Sequence, residues 1–164
     1  NSTINRLEAQ SLSLDFFVRN SLDRKYSAFL SFGPSYNFSD SSLPNQLSNN
    51  GRGFHADLSG TIYLPYKIEL STTANYQNQS ATEAFREGLD ALIVNTSLSK
   101  RFLKAQNLKF GISGNDLLDN NLGFTRSTYG TTIIQNSYTT IKRYFMLSLI
   151  WDFSRFANGT GKTF

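Results

Sequence analysis

Cysteine is absent from the 164 residues, which excludes a disulfide framework and any thiolate metal site. Long apolar runs are absent too. No stretch approaches the roughly 18 residues of a membrane helix, so any membrane contact has to be made by strands. Charge is sparse, at 17% against the roughly 25% of an average soluble protein. The basic residues are scattered and the net charge is only +4, so nucleic acid is not an expected partner. A single histidine, His55, leaves little for acid–base or metal chemistry. The opening Asn1-Ser2-Thr3 has neither a basic nor an apolar leader segment. Such a start is expected of a chain whose signal peptide has been removed, or whose beginning lies further upstream.

What the chain does have is aromatic residues, at 14% with 14 Phe and 8 Tyr, set among many Ser, Thr, Asn and Gly. Small polar residues of this kind suit a wet barrel interior, where a soluble sheet more often turns Lys and Glu to solvent. Segment after segment alternates apolar and polar residues, the period of a strand. Leu12, Leu14, Phe16 and Val18 oppose Ser11, Ser13, Asp15 and Arg19. Tyr26, Ala28, Leu30 and Phe32 begin a second strand, and Phe54, Ala56, Leu58 and Ile62 a third. Ile68, Leu70, Ala74 and Tyr76 mark the fourth, Leu92, Val94 and Leu98 the fifth, Leu108, Phe110 and Ile112 the sixth. The last runs through Phe145, Leu147, Leu149, Trp151 and Phe153, with Phe153 expected as its end.

The connections alternate in length: short near 21–24, 65–66 and 103–107, long at 39–50, 78–90 and 116–142. Outer-membrane barrels pair short periplasmic turns with long external loops. With that orientation aromatics fall at both ends of the apolar face, Tyr26, Phe102, Trp151 and Phe153 low, Tyr36, Phe38, Phe54, Tyr76 and Phe145 high. Two such girdles are expected at the two membrane interfaces. The fold class predicted is therefore all-β, an antiparallel transmembrane β-barrel of seven or eight strands, forming part of a larger barrel. A soluble lipocalin-like barrel has the same alternation with the apolar face turned inward. Sparse charge, unequal loops and strands of ten or more residues favour the membrane form.

Seven spans are an odd number, and residues 124–137 read as a hairpin arm above the membrane. The expectation is that the sheet pairs with strands of a missing N-terminal part or of another copy of the chain.

The C-terminal third carries more specific residues. Asn95-Thr96-Ser97-Leu98-Ser99-Lys100-Arg101-Phe102, then Gly114-Asn115-Asp116-Leu117-Leu118-Asp119-Asn120-Asn121, then Lys142-Arg143-Tyr144-Phe145-Met146-Leu147-Ser148-Leu149 and Trp151-Asp152-Phe153 follow in order. They resemble the closing strands of TonB-dependent receptors, especially those of the outer-membrane β-barrel family common in Bacteroidetes, over about residues 92–156. The resemblance implies a barrel of about 22 strands closed by a plug, with TonB-powered uptake of a large nutrient, a metal chelate or an oligosaccharide or peptide. It implies as partners the outer-membrane lipid, the remaining strands and plug, a surface lipoprotein, and TonB. The strand pattern makes residues 1–156 the barrel segment and residues 157–164 a tail, and the resemblance implies a C-terminal aromatic signal at Phe153 or Phe164. The alternative function is a small non-transporting structural or scaffold barrel.

No enzyme, cofactor or metal role is expected. His55 and Asp57 share a strand face and read as an interior hydrogen-bonded pair, and Asp15, Asp57 and Glu69 lie on different strands. In the loops, 82–89 reads as a helical turn bearing Phe85 and Arg86, and Gly123-Phe124-Thr125-Arg126 and Tyr129-Gly130 carry rings and an arginine suited equally to ligand contact and to loop packing.

Overall fold

The computed structural model describes residues 7–23, 25–41, 50–83, 85–129 and 132–153. The strands are β1 (Leu7–Ser13), β2 (Phe16–Leu22), β3 (Tyr26–Ser41), β4 (Gly51–Leu64), β5 (Ile68–Gln79), β6 (Leu89–Phe102), β7 (Leu108–Asn115), β8 (Phe124–Tyr129), β9 (Thr132–Ser137) and β10 (Tyr144–Trp151). All but β8 and β9 form one antiparallel meander in the order β1-β3-β4-β5-β6-β7-β10, with β2 also on β3. β8 and β9 pair only with each other, the hairpin arm that the loop lengths predict.

β1 and β2 are two halves of one spanning strand. Both pair with β3 in a single register, Ser13 opposite Ser35 and Phe16 opposite Phe32. The ladder lapses between them because Leu14 donates its N–H to the Pro34 carbonyl at 3.1 Å, and proline has no N–H to return. Counted by spans, the described sheet has seven strands, as the alternation predicts.

Register keeps the two faces separate across all seven. Leu22, Tyr26, Ile62, Leu70, Leu98, Ile112 and Leu147 stand in one cross-strand row. On the other face Ser21, Ser27, Thr61, Ser71, Ser97 and Ser113 stand in line, ending at Met146. A slip of one residue would exchange the rows, so the alternation itself enforces the register.

Along β4 the polar face is the more sheltered one. On β4, His55, Asp57 and Thr61 are part-shielded while Phe54, Leu58 and Ile62 are exposed. Leu147 and Leu149 are 72% and 68% exposed, and Leu89 is the one buried hydrophobic side chain among the described residues. A soluble barrel buries its apolar face; here that face is the outer one. Its two threonine hydroxyls at Thr72 and Thr96 are satisfied locally, meeting at 2.9 Å while Thr96 also lies 3.2 Å from the Ser71 carbonyl to which it donates.

Two expectations shift. β10 ends at Trp151 rather than Phe153: Asp152 makes one further bond, to the Asn107 carbonyl at 2.8 Å, and Phe153 instead stacks on Trp151 with ring centroids 4.6 Å apart. β7 and β10 have 8 residues each, fewer than ten, because Asp116 turns the chain with a φ of 48°. The boundary expected at 156/157 and the terminal Phe164 lie outside the described residues.

Candidate functional site

On the interior face, neighbouring strands are laced by side-chain pairs. Ser11 donates to Asn37 at 2.8 Å, Thr61 meets Ser71 at 3.0 Å, Asn75 donates to Asp57 at 2.6 Å and Asn95 to Thr73 at 3.4 Å. The short-turn half of this face holds a hollow of about 170 Å³ lined by Arg19, Ser21, Ser27, Phe29, Ser59 and Thr61 among others. Its lining mixes hydroxyls and one guanidinium with the Phe29 ring.

His55 is paired, but not with Asp57. Its Nε2 lies 3.2 Å from Asp15 Oδ1, two strands away. Register explains the reach: Gly33 of β3 stands directly opposite His55, and by the shared β1/β2 register opposite Asp15 as well. With no side chain at Gly33, carboxylate and imidazole meet above its backbone. A Cβ there would collide with the Leu14 carbonyl oxygen and come within 3.0 Å of Asp15 Oδ1. Glu69 turns to Lys109 at 3.8 Å. Asp15, Asp57 and Glu69 thus have three different partners, and among the described residues no three His, Asp or Glu side chains converge on a point.

The long-loop end is organised by Asp116, which is only 4% exposed. Its carboxylate accepts the N–H groups of Asn120 at 2.9 Å and Asn121 at 3.0 Å, while its own N–H donates to Asn95 Oδ1 at 2.9 Å. Leu117 donates to the Val94 carbonyl at 2.9 Å, tying the turn to β6. On the far side Asp119 accepts the Arg143 N–H at 3.2 Å, and Arg143 Nη1 donates to the Leu117 carbonyl at 3.3 Å, which ties it to the start of β10. Tyr138 donates to the Gly123 carbonyl at 2.8 Å and so closes the base of the β8–β9 hairpin. Gly123 has a φ of 69°, the left-handed conformation glycine adopts freely. The Asp-Leu-Leu-Asp-Asn-Asn segment, readable as turn-forming residues, is therefore a clamp joining β6, β7, β10 and the hairpin. Asp and Asn read there as caps and turn formers; which N–H groups the Asp116 carboxylate takes was not visible in sequence, because the donors lie four and five residues on in a non-repetitive turn.

The loop expected as a helical turn is a tighter device. Thr82 and Phe85 exchange bonds, Thr82 N–H to the Phe85 carbonyl at 2.8 Å and Phe85 N–H to Thr82 Oγ1 at 3.1 Å. Position 84 lies outside the described residues. Phe85 is half-buried and Arg86 exposed beside it. Arg126 and Tyr129 lie on β8, and Gly130 is outside the described residues.

No curated protein and no solved structure matches the chain. The model of the outer membrane protein beta-barrel family matches residues 1–151, nearly its whole length. An apolar face turned outward, a laced polar interior and unequal loops are what that architecture requires. The chain belongs to the outer membrane protein beta-barrel family, and its place is the bacterial outer membrane.

Proposed function

We propose that the chain forms wall and surface loops of a TonB-dependent receptor, a larger barrel that imports a bulky nutrient such as a metal chelate, an oligosaccharide or a peptide. The parity of the open sheet carries this reading. The outer edges of β1/β2 and of β10 have no partner among the described residues. In lipid, each unpaired backbone group costs several kcal/mol. Strands of a meander alternate in direction, so the first and seventh spans run the same way. Joining them, within one chain or to another copy in the same orientation, would put a parallel seam into an antiparallel wall. An odd number of further strands restores antiparallel pairing at both edges, and a large barrel of even count supplies it. The closing-strand motif at 95–102, 114–121 and 142–153 supports the receptor type.

In this reading the hydroxyl-lined interior borders the transport path, the plug and TonB contact belong to other parts of the protein, and the clamp-held hairpin projects where substrate or a surface lipoprotein arrives. The test is growth on single metal chelates, oligosaccharides or peptides, comparing loss of the gene with loss of TonB. Loss of growth on one nutrient in both strains is the expected outcome; a nutrient phenotype that persists unchanged without TonB dependence would oppose it. One added strand would also satisfy the parity, giving a small scaffold barrel with no such phenotype.

A further inference from the structure

Basic residues look scattered along the sequence, but folding sorts them. Around the three short turns and the adjoining end of β10 stand seven basic against three acidic described residues. The remaining strand halves and long connections carry five basic against nine acidic. The short-turn end is thus the cationic pole, and each short turn contributes one exposed lysine, Lys25, Lys67 and Lys104. Short turns recur every second strand, so these lysines repeat at about 10 Å along the rim.

Lys100 differs from them in direction. It stands between Ile68 and Phe110 on the outward row, the one charged side chain on that face in the short-turn half of the described strands. Its Nζ lies 5.2 Å from the centroid of the Phe102 ring. Phe102 shares a row with Leu108 and Trp151, the lower aromatic girdle. A lysine rooted in a lipid-facing row runs its stem along apolar neighbours and sends the ammonium to the interface. Lys104 lies beside it in the turn leaving β6, whereas Lys67 borders a hollow with Asp23, Glu69 and Arg101 toward the polar face. Neither Lys100 nor Lys104 has a carboxylate partner among the described residues.

We propose that Lys100 and Lys104 bind the phosphate of an anionic phospholipid in the leaflet at the short-turn end. Charge complementarity selects the occupant: at that depth, beside an aromatic girdle, a lipid phosphate is the anion within reach, and its acyl chains continue down the Ile68–Phe110 surface. The site rests on the lipid-facing wall and is independent of the receptor reading.

The test uses the full protein carrying this chain, reconstituted in phosphatidylcholine bilayers with a minor fraction of brominated phosphatidylglycerol or, in parallel, brominated phosphatidylcholine. Quenching of Trp151, the one tryptophan of the chain, is taken by difference from Trp151→Phe. Brominated phosphatidylglycerol should quench at least about twofold more than brominated phosphatidylcholine. Lys100→Gln/Lys104→Gln should bring the ratio to unity with phosphatidylcholine quenching unchanged, and the corresponding double arginine variant should keep the preference. Should the double glutamine variant not insert, Lys100→Gln alone should remove at least half of the excess. Equal quenching by both lipids in the unaltered protein, or a preference that survives the glutamine substitutions, overturns the proposal. So does loss of the preference when inorganic phosphate replaces chloride at constant ionic strength, which would mark a site for the free ion.

Discussion

Gly33 joins two strands by what it lacks, since the Asp15–His55 pair passes over its backbone and the Leu14 carbonyl closes in on it. Gly33→Ala forces that carbonyl away and should cost about 1–3 kcal/mol, as overpacking does. Asp15→Asn should cost about 0–1 kcal/mol, because the two side chains in contact are 37% and 61% exposed and solvent screens them. Urea midpoints of the refolded full protein separate the two, and equal midpoints would remove the steric role from Gly33. A second comparison tests the faces. Leu147 lies in the outward row, so Leu147→Arg should destabilise by about 2–4 kcal/mol, whereas Ser148, opposite Gly111 on the interior, should accept arginine at little cost. Equal effects would mean that the faces are reversed. The alternation made this parity legible, because residues two apart always share a face. It did not make the partner of His55 legible, since that depends on register across two strands and on an empty position between them.

Among the elements, the clamp around Asp116 has the clearest consequence. Asp116→Ala strands the N–H groups of Asn120 and Asn121, each formerly bonded to the carboxylate, at about 1–3 kcal/mol apiece where they stay dry. The loss falls on the connection and not on the sheet, whose ladder is independent of it. Limited proteolysis should therefore cut the segment 116–143 several-fold faster while the heat stability of the barrel holds. Unchanged cleavage would show that Arg143 and Tyr138 hold the hairpin without the carboxylate. Strand identity and the hairpin arm were legible from period and loop length. The break at Leu14–Pro34 was hidden because proline leaves the apolar pattern intact while deleting one ladder bond. The 82–85 turn was hidden for a related reason: the Thr82 N–H bonds forward to the Phe85 carbonyl, the reverse of a helical bond, and that leaves no periodic trace.

At the scale of the whole molecule the odd number of spans is decisive, and it too was countable in the sequence, because each span has its own apolar run. Which strands complete the wall was not countable, since edge groups are backbone and carry no side-chain signature. The seven described spans leave β1/β2 and β10 as edges running in the same direction, so self-closure would need a parallel seam. The chain of 164 residues by itself, refolded in detergent, should therefore give no compact band that shifts on heating, and should associate into mixed sizes through its exposed edges. The full protein should give one sharp heat-modifiable band. A heat-modifiable monomer from the 164 residues alone would mean that the chain closes on itself, and would move the functional reading from a receptor wall to a small scaffold barrel, leaving the lipid-facing row and its lysines as they are.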